Sequence, residues 1–360
     1  MTKFPAVAAL AVMLLHGAAG LHAIGTIVFL DGSVEVVRDG SDLAAVQIGT
    51  AIEPADTIQT GADGFVEIEL DADGVRGALV VTENTSMVFD GSTGAARSLG
   101  RVNVYNGSIA ANITQNANNA DIQFRSQSVV LGVRGTQFDV VVGADEATLV
   151  GVREGTVALL QRRSEVPVIA GSVAEIAPDA DPAIQSVPLE DFAAFYDNWR
   201  EARLQIFRRG AATFVQAYAT RFRGTEPDFR AALQDLRQYR QQLEEVLSAP
   251  TIDRAAAIQL RARMSPAILR VRSTLPLYEA TVYRLVQLAR FHDEGFGRVD
   301  LEGSSSTEFF REFQRRLPDL RRQLSEARAL QRRFAELEQR SLGGGIPSNS
   351  NPFGDDVSLF

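Results

Sequence analysis

Apolar residues fall on two different periods in this chain, and the change comes near residue 188. From Ile24 to Pro178 they alternate with polar positions in short runs: Val34 and Val36; Val66, Ile68 and Leu70; Val102 and Val104; Ile109, Ala111 and Ile113. A period of two predicts half-buried β-strands. Asp-Gly at 31–32, 39–40, 63–64, 73–74 and 90–91 and Asn-Gly at 106–107 punctuate the runs. These dipeptides accept the positive φ angles of tight hairpin turns. Asn106-Gly107 in particular is expected to fold Val102 and Val104 back against Ile109, Ala111 and Ile113. Short strands with turns this frequent predict an antiparallel sandwich, barrel or solenoid-like stack.

From Leu189 the period becomes 3.6. Phe192, Phe195, Tyr196 and Trp199 stand at i, i+3, i+4 and i+7, on one helix face. A second helix is expected to begin near Thr225, with Pro227 and Asp228 in its first turn. It should bury Phe229, Leu233, Leu236, Leu243 and Leu247. The next run is expected to kink or restart at Pro266, and another helix to end at Gly295 to Gly297. The last helix is predicted to start after "GSSST", capped by Thr307, and to pass Pro318. Its Phe313, Leu317, Leu320, Leu324 and Ala327 keep a spacing near 3.5, which suits a coiled-coil-like seam. The architecture read from the pattern is therefore multi-domain: an all-β domain over 24–187, then an all-α helical bundle over 188–342. "GGG" at 343–345 ends the last helix, and the Ser/Asn/Pro-rich tail, 343–360, is expected to be disordered.

One strand breaks its own alternation. In "VVLGVRGTQFDVVV" the apolar set is odd-numbered up to Val133 (Val129, Leu131, Val133) and even-numbered after it (Phe138, Val140, Val142). Side chains alternate strictly along a strand, so the buried face changes only at an inserted residue or a corner. Gly132 and Gly135 flank the change, and glycine tolerates the backbone angles it needs. Thr136 restarts the strand and Phe138 brings the first large apolar side chain to the new face. This segment, with "EATLVGVREGTVALL" and its Gly155 and with "VIAGSVAEI", resembles the FecR-type domain of bacterial envelope proteins. Upstream, "IEPADTIQTGADGFVEIEL" resembles that family's Gly-Asp-x-Ile-x-Thr-Gly segment, with Ala55 where glycine is usual. The resemblance covers about residues 24 to 178 and implies an all-β domain outside the cytoplasm.

Composition sharpens the division. Residues 24–188 hold 9 Arg against 22 Asp plus Glu, a formal charge of −13, whereas 189–360 hold 26 Arg against 23 acids, or +3. The acidic half argues against a nucleic-acid partner, which requires a clustered basic surface. The arginines of the helical half read as a solvated face, since acids nearly cancel them. At the N-terminus Lys3, an apolar core from about Ala6 to Leu15 and a small-residue end at Ala23 have the layout of a cleaved signal peptide over 1–23. The alternative is an uncleaved anchor. The mature chain shows no run of about 18 apolar residues, the length a membrane span requires, and the expected location is the periplasm or cell envelope. The chain has no cysteine, so no disulfide or cysteine-borne lipid anchor is available.

Candidate chemistry is sparse. After residue 23 the one histidine is His292, near a helix end, where a positive charge is expected on dipole grounds. No His/Cys metal set, catalytic triad or phosphate-cradling loop can be assembled. "DADG" at 71–74 carries only part of a calcium loop and reads as turn chemistry. The acids of the β half leave a carboxylate-based glycoside hydrolase as a second alternative, yet nothing singles out a pair. The expectation is a non-catalytic exported protein with no cofactor or metal. It would bind, scaffold or sense a protein or envelope component through its β domain and a helical interaction module. The partner surface is expected on the last helix, at Phe309, Phe310, Phe313, Leu317 and Leu324, which could also pair two copies of the chain. The alternative is a FecR-type relay in a sigma-factor pathway. Such relays place a cytoplasmic segment and a membrane span ahead of the domain, and here the apolar segment begins at residue 4.

Overall fold

The structure is a computed structural model and describes residues 23–72, 75–90, 100–114, 122–161, 164–178, 180–249, 251 and 253–342. The predicted signal segment up to residue 22, Asp73-Gly74, Gly91 and the tail from residue 343 lie outside the described residues.

The β half is a two-layered sandwich with open edges. Hydrogen-bonded neighbours in the first layer run 51–52, 25–31, 65–72, 75–81, 107–114, 136–142, 148–154, 172–176, 183–186. In the second they run 41–42, 34–38, 57–60, 86–90, 101–106, 122–125, 130–133, 156–161, 164–169. Neighbours are antiparallel throughout, apart from the parallel pairing of 101–103 with 123–125. Ile58, Val66, Ile68, Phe89, Val102, Val104, Phe124, Leu131 and Phe138 fill the space between the layers.

Glycines set the corners at which the chain crosses from one layer to the other. Asn106-Gly107 is not a hairpin. The strand Arg101–Thr114 runs straight through it, pairing in the second layer up to Asn106 and in the first from Gly107, whose φ is 90°. Gly135 (φ 61°) carries the chain from 130–133 in the second layer to 136–142 in the first. Gly155 (φ 81°) carries it back. Both corners touch: a Cβ on Gly155 would lie 2.8 Å from the Gly135 carbonyl oxygen and 2.7 Å from Thr136 Cγ2. The register also slips between Gln137 and Phe138. Leu131 and Val133 before the corner, and Phe138, Val140 and Val142 after it, therefore reach the same core from opposite layers. Of the Asx-Gly pairs, Asp39-Gly40 does close a two-residue hairpin, pairing Arg38 with Ser41, with both turn residues at positive φ. Such angles are the signature of a type I′ turn.

The helical half holds fewer and longer helices than the periodicity predicts. Helix α1 is Phe192–Arg237, 46 residues, running without a break through Pro227. The short α2, Arg240–Ser248, follows. Helix α3, Arg254–Asp293, passes through both Pro266 and Pro276, and α4, Ser306–Leu342, through Pro318. An interior proline costs about 3 kcal/mol. The apolar face is continuous across each one, however, and burying a single large apolar side chain contributes about 1.5–3 kcal/mol. Phe222 and Phe229 bracket Pro227, Met264 and Ile268 bracket Pro266, and Leu275 and Tyr278 bracket Pro276, all of them buried. Helix α4 is capped by Ser305 and not by Thr307. Ser305 Oγ accepts from the Glu308 N–H at 3.2 Å, while Glu308 Oε2 accepts from the Ser305 N–H at 2.9 Å. This reciprocal pair is a capping box. Phe207 against Phe291 and Phe229 against Tyr278 show that α3 runs antiparallel to α1, and His292 against Phe310 with Glu279 on Arg328 show the same for α4.

Candidate interaction site between the sandwich and the helices

Helices cover the sandwich on two outer faces, by two different chemistries. Over the first layer the cover is apolar: Val141, Leu149 and Val173 meet Phe192, Tyr196 and Trp199 from the start of α1. Contact is close because residue 151 is glycine. A Cβ there would sit 1.8 Å from Tyr196 Oη and 3.1 Å from Phe192 Cε2. Tyr196 Oη donates to Asp139 Oδ2 at 2.9 Å, and Arg153 Nε donates to the same oxygen at 2.8 Å. Burial first, then the Asp139 carboxylate, push the Tyr196 phenol above its ordinary value.

Over the second layer the cover is largely polar. Its strands point Ile58, Met87, Phe89, Val102 and Val104 inward. Alternation turns Glu35, Thr57, Gln59, Asp90, Asn103 and Tyr105 outward, and α3 and α4 lie over this face. Helix α4 presents two stripes. Phe313, Leu320, Leu324, Ala327, Phe334 and Leu337 enter the helical core. Arg321, Ser325, Arg328 and Arg332, at i, i+4, i+7 and i+11, share another face and meet the sandwich. Arg321 pairs with Glu35 at 2.9 Å, and Ser325 Oγ accepts from the Gly40 N–H at 2.9 Å. Arg332 pairs with Asp39 at 3.2 Å and with Glu53 at 3.5 Å.

The centre of this face is a buried ionic node. Arg328 Nη1 lies 3.2 Å from Asp90 Oδ1, and its Nε donates to Glu279 Oε1 at 2.7 Å. Its Nη2 donates to Glu279 Oε2 and, at 3.2 Å, to Tyr105 Oη. Tyr105 Oη donates to Glu279 Oε2 and its ring stacks on Tyr283 at 4.9 Å. Glu279 is fully buried, and Arg328, Tyr105 and Asp90 nearly so. Burial, reinforced by the Glu279 carboxylate, raises the Tyr105 phenol well above its ordinary value, so it stays a donor. Burial disfavours the charge on Arg328, but Glu279, Tyr105 and Asp90 more than offset it and raise its pKa. Removing one member of such a node strands the others without solvent. Two further contacts tie the helices to sandwich loops. Tyr218 Oη donates to Glu146 and lies 3.1 Å from Gln127 Oε1. Arg284 Nη1 donates to the Gly143 carbonyl at 3.2 Å.

The residues singled out from sequence fall elsewhere. Gly132, Gly135, Thr136, Phe138 and Gly155 belong to the layer corners and inter-layer core of the sandwich; Gly132 pairs with Gln123 and Ala158. Phe309, Phe310, Phe313 and Leu324 are buried in the helical core and Leu317 is half-buried against it. The seam expected to face a partner is thus occupied by the chain's own helices. The arginines read as a solvated face include the three that dock on the sandwich. His292 is buried, its Nε2 3.0 Å from Ser306 Oγ, joining the end of α3 to the start of α4. Burial lowers its pKa, against the positive charge that a helix C-terminus favours. Among the described residues no group of three or more His, Cys, Asp or Glu could hold a metal ion, and no helix is long and apolar enough to cross a membrane. Tyr105, Asp90, Glu279 and Arg328 were not legible as a site. The available signal was the i, i+4, i+7, i+11 spacing of Arg321, Ser325, Arg328 and Arg332, set beside a strongly acidic β half.

Residues 56–158 match the family model described as FecR protein. Two crystal structures from Parabacteroides distasonis ATCC 8503, each described as a "putative anti-sigma factor", are similar to parts of this chain. The first is 16% identical, covers 39% of this chain and 63% of its own, and superposes with a TM-score of 0.33. The second is 15% identical, covers 36% and 64%, and has a TM-score of 0.28. This chain therefore spans somewhat under two thirds of either one. A search of curated proteins returned no match.

Proposed function

We propose that this chain is a non-catalytic regulator of the FecR type that acts by protein–protein contact and relays a signal in a sigma-factor pathway. The observation that carries the reading is the FecR family match over 56–158. The matched segment supplies Thr57, Asp90 and Tyr105 to the face covered by α3 and α4. The Lys3, apolar-core and Ala23 layout of the N-terminus supports export of the working part of the chain to the periplasm or cell envelope.

The test is a deletion strain of the native host, complemented with the full chain or left empty, compared by transcript profile. A regulator changes a coherent set of genes under one sigma factor, and complementation restores it. Envelope defects with an unchanged transcript profile would instead establish a scaffold.

A further inference from the structure

The two helix-covered faces differ in a way that bears on their permanence. The α1 anchor packs Phe192, Tyr196 and Trp199 on the apolar Val141, Leu149 and Val173, with Tyr196 and Arg153 on Asp139 as its polar link. The face beneath α3 and α4 has the pattern of a solvated sheet face, polar outward and apolar inward, yet it is covered. Thr57, Gln59 and Asn103 are buried there. Among the described residues, the sandwich adds only Val88, Tyr105 and Ala144 to the helical core. Gln59 Nε2, Arg321 Nε and Arg332 Nε are buried without a hydrogen-bond partner. Interfaces of this composition, charged and imperfectly satisfied, are typical of domains that separate, whereas permanent ones resemble a core cut in half. Past the anchor, α1 too meets the sandwich through polar groups, Arg203 with Asp145 at 3.1 Å and Tyr218 with Glu146.

From this contrast we infer that the acidic outer face of the sandwich is an exchangeable docking site. The arginine stripe of α4 is its internal ligand, and an amphipathic helix of a partner protein, carrying arginines at the same spacing, replaces it. The helices would swing as one body about the Phe192–Trp199 anchor, since the apolar stripe of α4 holds it to α3. The formal charge of −13 on the β half would steer such a helix to the site and favour it over acidic competitors. The inference rests on the regulator reading, because a relay needs a surface that changes partners.

The test uses the full chain with Arg321→Glu and Arg332→Glu, two positions at the rim of the face. As probe it uses a synthetic peptide of residues 318–342, standing in for the partner helix. Amide exchange in 57–60 and 86–90 should accelerate about tenfold, while 138–142 and 149–152 stay protected, because only the face has opened. The peptide should bind this variant and restore protection, and should bind the unaltered chain at least about tenfold more weakly, since there α4 competes. Adding Glu35→Arg and Asp39→Arg to the variant should return exchange to that of the unaltered chain, which controls for misfolding. The inference is overturned if the variant exchanges like the unaltered chain, if all strands lose protection together, or if the opened chain ignores the peptide. Pairing of two variant chains by exchange of α4, in preference to the peptide, would overturn it as well. If the peptide fails while the transcript response of the deletion strain stands, the regulator reading survives with its contact elsewhere.

Discussion

Single residues in this fold are constrained by backbone sign and by burial. Ala55 has φ 76° and Gly135 has φ 61°, so one left-handed position carries a Cβ and the other does not. A Cβ in that region costs about 1–2 kcal/mol. Ala55→Gly should therefore stabilise the protein by up to about 1 kcal/mol, the relief being partly offset by the greater freedom of glycine in the unfolded chain. Gly135→Val should destabilise it by about 1–3 kcal/mol. Chemical denaturation measures both, and equal, small effects of the same sign would contradict the corner assignment. At His292 the folded pKa lies below its ordinary value of 6.5 because of burial. As pH falls through 6.5 the unfolded chain takes up a proton that the folded chain does not. The unfolded state then binds more protons, so stability is complete above that pH and is lost as pH drops through the lowered folded value. Between about pH 7 and 5 the unfolding midpoint of the unaltered protein should fall more than that of His292→Asn, which lacks this proton. Parallel curves would show that the ring is not held neutral. The sequence exposed the corner at Gly135, because a phase change in alternation is visible in one dimension. His292 could not be read, since its environment is assembled from α3 and α4.

Elements dock where local shape allows, and α1 illustrates this at Gly151. A Cβ there would meet Tyr196 Oη at 1.8 Å and Cζ at 2.8 Å, and the strand cannot retreat because Gly151 is paired on both sides, to Asp139 and Val173. Gly151→Val should lift the first turns of α1 from the sheet and cost about 1–3 kcal/mol as overpacking. Trp199, the chain's single tryptophan, should report the change by a red shift in emission. An unshifted emission would place the α1 contact elsewhere. Helix existence and buried faces were readable from period 3.6, whereas helix boundaries were not. Pro227 suggested a helix start and Pro266 a kink or restart, but continuous apolar packing on either side outweighs the local cost. Asn106-Gly107 misled for a related reason: a positive φ suits a corner between layers as well as a hairpin, and strand pairing decides between them.

At the scale of the whole molecule, the charge asymmetry of the sequence resolves into complementarity. Read separately, an acidic β half and an arginine-rich helical half look like two domains with solvated surfaces. Brought together, Arg321, Arg328 and Arg332 of α4 find Glu35, Asp90, Asp39 and Glu53 of the sandwich. Neither half contains the node at Tyr105, Asp90, Glu279 and Arg328 on its own, which is why no local motif announced it. This node couples the two halves of the molecule. A double-mutant cycle of Tyr105→Phe on the sandwich and Arg328→Met on α4, followed by chemical denaturation, measures that coupling directly. Residues sharing a buried hydrogen-bonded network couple by up to about 3 kcal/mol, and a value of about 1–3 kcal/mol is expected here. Single effects that add to within about 0.5 kcal/mol would mean that the two side chains share no network, and would contradict the account.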